Sequence, residues 1–481
     1  MNKILRNIGS VYVALMLVLY PIILTDKYYN VTDTKLYCFY ILTAFFSLSV
    51  FGIKYYEWLR SEDVRKSNNI SQFLIVSPII GVAVISIIST ADLKMAVRGT
   101  KEYGFGTVFF IMLALAIMAI RLTCFSKQVF SLSAILGAVA TSLFGLLQFL
   151  GADIFGLIKS VTIEDSNMFI STFGNTSFFG AFMVMIFPIA VYSFLNEAPA
   201  FKRVSAIAVI TTVIGIIIAN TDATLLAFIV EMLIILAKKN HEKSLSDVSK
   251  TVMLVAGAIL LLNGLLILST RERELGGLQK VFINPVIWLV ILFAALIVLA
   301  LEKRQQSLPI RKTLQFIGKL GLVIVCIFPI ASAIYTKITY INLASPLSRL
   351  LYFDDNWGNR RGYIWTRALE LYGNGTVFEK VLGRGIGSFS ELFQRIYGSE
   401  SFERYFTFFD DAHNMFIQCL LEYGIIGLTL MLTFCSMTLY RLFCGKDEFD
   451  YYRAVAFVGM LICSTCLISQ NITPAFVVLF M

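Results

Sequence analysis

The chain has 481 residues, of which 58% are apolar and 15% charged, with a net charge of +9 and a mean hydropathy of +0.78. That composition excludes an ordinary soluble domain and identifies an integral membrane protein. No basic stripe is joined to a soluble domain, so the positive charge does not point to a nucleic-acid partner.

An α-helix needs roughly 17 to 25 apolar residues to cross about 30 Å of hydrocarbon, and such runs recur along almost the whole chain. They lie near 8–25, 36–53, 71–90, 104–122, 129–150, 176–195, 204–220, 223–237, 251–269, 283–301, 314–335, 414–440 and 454–470. The pattern predicts an all-α polytopic membrane protein of about twelve or thirteen transmembrane helices. The first run follows Met1 to Arg6 but lacks a small-x-small cleavage site, so it is expected to be a retained helix. Basic residues fall in alternate loops: Lys3 and Arg6, Lys54 to Lys66, Arg121 and Lys127, Lys202 and Arg203, Lys238 to Lys243, Lys303 to Lys312, and Arg441 to Arg453. Short basic loops stay in the cytoplasm, which places the N-terminus inside. His241 then reads as a solvated residue of an inner loop. The eight cysteines sit mostly within spans and suggest no disulfide framework, and Cys463 with Cys466 is assigned to helix packing.

Along the outer side, Arg98 stands in "MAVRGTKEYGFG" between the third and fourth spans, where a snorkelling interface arginine is the simplest role. Asn175, in "FGNTSFFG", opens a helix and can cap it. Glu231 lies mid-span in "LLAFIVEMLIILA", where a carboxylate is costly in lipid and is expected to bond another helix. Residues 336–412 form the one long outer loop, with nine basic and nine acidic residues. The helical spacing of Ile364, Ala368, Leu369 and Leu371 in "RGYIWTRALELY" predicts a partly helical cap. The chain thus divides into helices over 1–335, the outer loop 336–412 and C-terminal helices over 413–481. "LGRGIGSF" (382–389) lacks the context of a nucleotide loop; it is either a turn between cap helices or a source of backbone amides for an anion or sugar. In "DDAHNMFIQCLLEYGIIGL", Asn414, Gln418 and Glu422 lie on one helix face, a polar stripe expected to face the interior.

Three stretches, "STFGNTSFFGAFMVMIFPIAV", "RGYIWTRALELY" followed by "VLGRGIGSF", and "HNMFIQCLLEYGIIGL", resemble in order and spacing the O-antigen ligase and polymerase superfamily of bacterial membrane glycosyltransferases. The resemblance spans about residues 90–470. It implies a GT-C-like membrane fold with its site on the outer face of the cytoplasmic membrane. It also implies transfer of a glycan from an undecaprenyl diphosphate carrier to the hydroxyl of a glycan, lipid or other surface acceptor, without metal, nucleotide sugar or other cofactor. On this basis His413 is the candidate general base, since a neutral imidazole can take the acceptor proton. Arg361 matches the family's outer-loop arginine. Its guanidinium fork suits a leaving diphosphate, and Arg360 and Arg98 are further phosphate ligands. The alternative for Arg360 and Arg361 is a surface pair with Asp354 or Asp355. Asn175, Asn414 and Glu422 are the remaining candidate substrate-binding positions, although interhelical bonding suits Glu422 better. Asp410 and Asp411 can orient His413 or favour the helix N-terminus. The chain departs from the family at "ANTDATLLAF" (219–228), where Asp222 and Thr224 stand without an arginine. Arg271 and Arg273 in the next outer loop are the candidates to compensate, although their neighbours Glu272 and Glu274 suggest local pairing instead. The rival class is a transporter or flippase of lipid-linked oligosaccharide, which would show internal repeats; none is evident.

Overall fold

The computed structural model describes residues 2–60, 74–90, 92–100, 105–161, 168–238, 245–268, 275–303, 308–338, 352–467 and 474–481. Arg65, Lys66, Lys239, His241, Lys243, the 271–274 group, Arg304 and residues 339–351 of the outer loop lie outside them. The described residues are helical, with no strand among them. Lipid offers the backbone no hydrogen bonds, so helices that satisfy themselves are the expected solution.

All thirteen predicted spans coincide with helices. In chain order these are α1 (Asn2–Ile22), α2 (Val31–Arg60) and α3 (Leu74–Ile88), the short α4 (Leu93–Arg98), α5 (Thr107–Arg121) and α6 (Lys127–Phe149). Next come α7 (Thr176–Asn196), α8 (Pro199–Ile218), α9 (Asp222–Ala237) and α10 (Leu245–Leu268), then the short α11 (Gly277–Phe282), α12 (Pro285–Lys303) and α13 (Leu308–Ile338). The cap contributes α14 (Trp357–Gly373), α15 (Val377–Leu382) and α16 (Ser388–Tyr405), and the chain returns through α17 (Met415–Cys444) and α18 (Glu448–Ser464). Among the described residues, eight helices are long and apolar enough to cross a bilayer by length and composition. Side-chain caps start several of them: Ser126 on α6, Asn175 on α7, Asn414 on α17 and Asp447 on α18 each accept a backbone N–H of the first turn.

Helix α7 is the axis of the bundle. It is buried along most of its length and packed by α6, α8, α9 and α18. By contrast α12 and α13 pack on α10 and α9 respectively and leave Phe293, Val290, Ile324 and Ile330 exposed, as expected of residues facing lipid tails. Two buried charges show how differently such groups are handled. The ammonium of Lys35, fully buried on α2, donates to the carbonyls of Tyr20 and Pro21 at 2.9 Å and of Ile23 at 3.3 Å, so it caps the negative end of α1. Glu231 on α9 is equally buried, but neither carboxyl oxygen has a hydrogen-bond partner among the described residues. It lies where a side chain at Gly459 of α18 would have to be. The expected interhelical bond is therefore not made, because the helix it faces offers a glycine rather than a polar side chain.

The cap is a second small core, in which Tyr363, Ile364, Ala368, Leu371, Phe389 and Phe393 pack around Phe409 and Ala412. Leu369, expected on the same face, is 49% exposed. The cap meets the bundle at a break in α17. Gly424 adopts φ 66°, ψ −170°, a conformation open essentially only to glycine. The break frees carbonyls inside the bundle, and the cap supplies their donors: Arg384 N–H to Leu421 O at 3.2 Å and Gly385 N–H to Glu422 O at 2.9 Å. The two backbones touch, because a Cβ at Gly383 would strike Glu422 and one at Gly424 would strike Val381 and Gly383. "GRGIGS" is thus the turn that docks the cap, and its amides at 384, 385 and 387 are taken by α17 rather than left for an anion. Gly424→Ala is expected to cost about 1–3 kcal/mol and to open the cap to protease. Gly373→Ala, with free space around it, should change stability by less than about 0.5 kcal/mol. Equal melting and digestion of the two variants would show that the joint does not hold the cap.

Candidate active site

The last residues of the cap, 406–414, run from α16 to α17 and carry the candidate base. Trp365 Nε1 donates to Ala412 O at 2.9 Å, pinning this segment to α14. Asp411, 1% exposed, accepts the His413 backbone N–H at 2.6 Å through Oδ1. This local turn lets His413 take a left-handed backbone with φ 49°. The same Oδ1 is 3.7 Å from His413 Nδ1, and the side chain of His413 remains 27% exposed. Asn414 accepts the N–H groups of Phe416 and Ile417 and so starts α17 directly after the histidine.

Beneath His413 the polar stripe is a chain of hydrogen bonds. Gln418 Oε1 accepts the Ala412 N–H at 2.9 Å, and Gln418 Nε2 donates to Glu422 Oε1 at 2.9 Å. That oxygen also accepts the Gly387 N–H at 2.9 Å. All three stripe residues are buried, and they face the docked cap. Glu422 therefore serves the support of the site in this arrangement, eight residues along the helix from Asn414.

Gly358, Asn359 and Arg360 are three consecutive left-handed residues that precede the regular part of α14. They set the two adjacent arginines to different tasks. Arg360 lies over the Tyr405 ring at 5.1 Å. Arg361 donates from Nη1 to Gly358 O at 2.5 Å and from Nη2 to Cys466 O at 2.6 Å, beyond the end of α18. Its Nε, shut off from solvent, has no partner among the described residues, so the five-donor guanidinium is only partly used there. Neither arginine pairs with Asp354 or Asp355; Asp355 instead holds Arg404 at 2.9 Å.

Electrostatics tie these groups together. Burial, and then the positive charge of Arg361, push the His413 pKa down to about 4, against a smaller opposing pull from Asp410. Arg361 in turn feels Asp222, at the start of α9, whose Oδ1 accepts from Gln279 Nε2 of α11 at 3.2 Å. The sequence position noted for lacking an arginine thus lies at the site with a carboxylate. Arg98 is exposed at the end of α4, one turn after Met95, which touches Gly387. Asn175 caps α7 by accepting the Ser177 N–H at 2.7 Å. No described contact joins Arg98 or Asn175 to His413 or Arg361.

Below the site lies an apolar cavity of about 50 Å³ between α3, α5, α17 and α18, lined by Ile79, Phe109, Leu430, Phe434 and Met460. Met415, two residues after His413, and Ser464, two before Cys466, also line it.

Sequence reasoning had no means of finding the Cys466 carbonyl, since a backbone partner a hundred residues away leaves no side-chain signal. Trp365 was legible only as part of an amphipathic helix; its indole N–H, which needs a partner when buried, was the available hint. No curated protein matches the chain. Residues 285–432, from α12 through the cap into α17, match the family model described as O-antigen ligase. That stretch contains Arg360, Arg361, the 382–389 turn, His413, Asn414 and Glu422. The chain is thus a multi-pass membrane protein in which residues 285–432 are similar to the O-antigen ligase family.

Proposed function

We propose that the protein transfers a glycan from undecaprenyl diphosphate to the hydroxyl of a surface acceptor, as an O-antigen ligase or polymerase, at the outer face of the bacterial cytoplasmic membrane. The N-terminus is then cytoplasmic. The observation that carries this reading is the pairing of a neutral, solvent-reachable imidazole at His413 with an incompletely bonded guanidinium at Arg361 inside the family-matched segment.

In the proposed reaction Arg361 receives the donor diphosphate, with Arg360 and Arg98 as further phosphate ligands. His413 removes the acceptor proton as the acceptor oxygen bonds the anomeric carbon. The bond from that carbon to the diphosphate oxygen breaks, and the electron pair leaves on the diphosphate, where Arg361 stabilises it. Attack opposite the leaving group inverts the anomeric centre. The apolar cavity below Met415 suits a lipid-borne donor. Asn175, Asn414 and Glu422 act in this scheme by holding helix starts and the cap in place, and Asp411 by fixing the backbone of His413.

His413→Ala is expected to lower transfer by about 10²- to 10⁴-fold and to behave like the deletion in cells, while Arg361→Lys should retain more activity than Arg361→Ala. The size distribution of lipid-linked glycan reads the result. Single units left on lipid identify a polymerase and long unattached chains a ligase; restoration by His413→Ala removes the base and favours transport instead. The pH profile is a second check. Because burial and Arg361 lower the His413 pKa, the base stays available as pH falls past 6.5. The acid limb of kcat/KM for the donor, which reports the enzyme before the donor binds, should therefore lie near pH 4. A limb near pH 6.5 would contradict the proposed environment.

A further inference from the structure

A second cavity lies at the end of the bundle away from His413. Helix α18 finishes two residues before Cys466, the partner of Arg361, so its first residue, Glu448, lies about 25 Å away at the other end. The cavity beside Glu448 has a volume of about 70 Å³, room for more than one water molecule. Its charged lining is Lys238 at the end of α9, Asp247 in the first turn of α10, Arg311 in the first turn of α13, and Glu448 itself; Leu195 and Leu314 belong to its apolar side.

The packing of α13 on α9 fixes these walls. A Cβ at Gly318 would strike the backbone of Leu233 and Ala237, and one at Gly321 would strike the side chain of Leu233. Arg311, Leu314 and Gln315 lie on the same face of α13, one and two turns before Gly318. Gln315 Nε2 donates to Lys238 O at 3.2 Å, which holds this turn against the end of α9.

The four charges are not equally provided for. Lys238 Nζ donates to Glu448 Oε1 at 2.8 Å and lies over the rings of Tyr451 and Tyr452 at 4.4 and 4.7 Å. Asp247 has a loose neighbour in Lys250, whose half-exposed ammonium is 3.5 Å from Asp247 Oδ1 but 3.0 Å from Ser246 Oγ. Arg311, half-buried, has neither an ion pair nor a hydrogen bond among the described residues. One cavity therefore presents a five-donor fork on α13 and, on α10, a carboxylate with acceptor capacity to spare. The fork matches two phosphate oxygens, and the carboxylate calls for a cation that can donate hydrogen bonds. A phosphate ester of ethanolamine carries both groups a few atoms apart. The ends of membrane helices lie at the depth where phospholipids present such headgroups.

We propose that this cavity binds an amine-bearing phosphate ester, supplied as the headgroup of phosphatidylethanolamine or as free phosphoethanolamine, with its phosphate on Arg311 and its ammonium on Asp247. The bound group ties the start of α13 to the start of α10 across the end of α9. The site is independent of the proposed transfer reaction, and its test stands whether or not that reading holds.

The test uses the full chain, purified in detergent, with phosphatidylethanolamine, phosphatidylglycerol, phosphatidylcholine or free phosphoethanolamine added. Tm and retention in native mass spectrometry are the readouts. Phosphatidylethanolamine is expected to raise Tm and to be retained more strongly than the other two lipids, because phosphatidylglycerol lacks the cation and choline cannot donate a hydrogen bond. Arg311→Gln should weaken that retention by roughly ten- to a hundredfold, and Asp247→Asn should erase the preference for phosphatidylethanolamine over phosphatidylglycerol. If Arg311→Gln fails to fold, Arg311→Lys, which keeps the charge but not the fork, should still weaken retention. Displacement of the lipid by free phosphoethanolamine assigns the site to the soluble ester; retention in its presence assigns it to the headgroup. Equal retention of the three lipids by the natural chain, or a preference for phosphatidylethanolamine unchanged in the variants, would overturn the proposal.

Discussion

The constraint on which the rest of this structure depends is the break of α17 at Gly424. A transmembrane helix that stops and restarts exposes backbone carbonyls where no water can reach them, and each unsatisfied group costs several kcal/mol in hydrocarbon. Here the carbonyls of Leu421 and Glu422 are satisfied by amides of the cap turn. The break and the glycine-rich turn are two halves of one joint, and neither is stable without the other. The joint also sets the height of the cap above the bundle. From Gly387 the hydrogen bonds pass through Glu422 and Gln418 to Ala412, the residue before His413. The position of the histidine is therefore referred to the membrane helix through a rigid polar chain.

Two buried charges elsewhere in the bundle show the same logic kept and broken. Lys35 is tolerated in the interior because three carbonyls at the end of α1 need a donor and an aromatic ring of Phe173 lies 5.0 Å away. Glu231 has no such company. Glycine at 459 gives it room without giving it a partner. A buried carboxyl without a partner carries a desolvation cost, which the apolar contacts of α9 and α18 around it offset.

Much of the fold was legible in the sequence because the bilayer imposes a length on every span. Thirteen apolar runs coincide with thirteen helices, and the balanced charge of residues 336–412 marked the cap. The apolar spacing of Ile364, Ala368 and Leu371 gave the buried face of α14, whereas Leu369 was misplaced because its neighbour spacing fits either edge of that face. His413 and Arg361 could be singled out by chemistry and resemblance. Their surroundings could not. The partner of Arg361 is a backbone carbonyl beyond α18, and the carboxylate near it comes from α9. Local pattern carries no information about groups brought together across more than a hundred residues. The same holds for "GRGIGS", whose composition is compatible with binding an anion and whose amides are in fact spent on α17.

The charges at the site also bear on the order of events. Without donor, Arg361 feels the charge of Asp222, and its own positive charge opposes protonation of His413. An imidazole in this state is deprotonated but a poor base, because a depressed pKa weakens the driving force for proton transfer. Under the proposed reaction a diphosphate arriving at Arg361 adds negative charge next to the same imidazole. That charge offsets the arginine and raises the basicity of His413. The base then gains strength only when the leaving group is in place, so an acceptor hydroxyl bound alone is not activated. Desolvation of the histidine and proximity of the arginine, each unfavourable to a base taken singly, together make proton removal conditional on the donor.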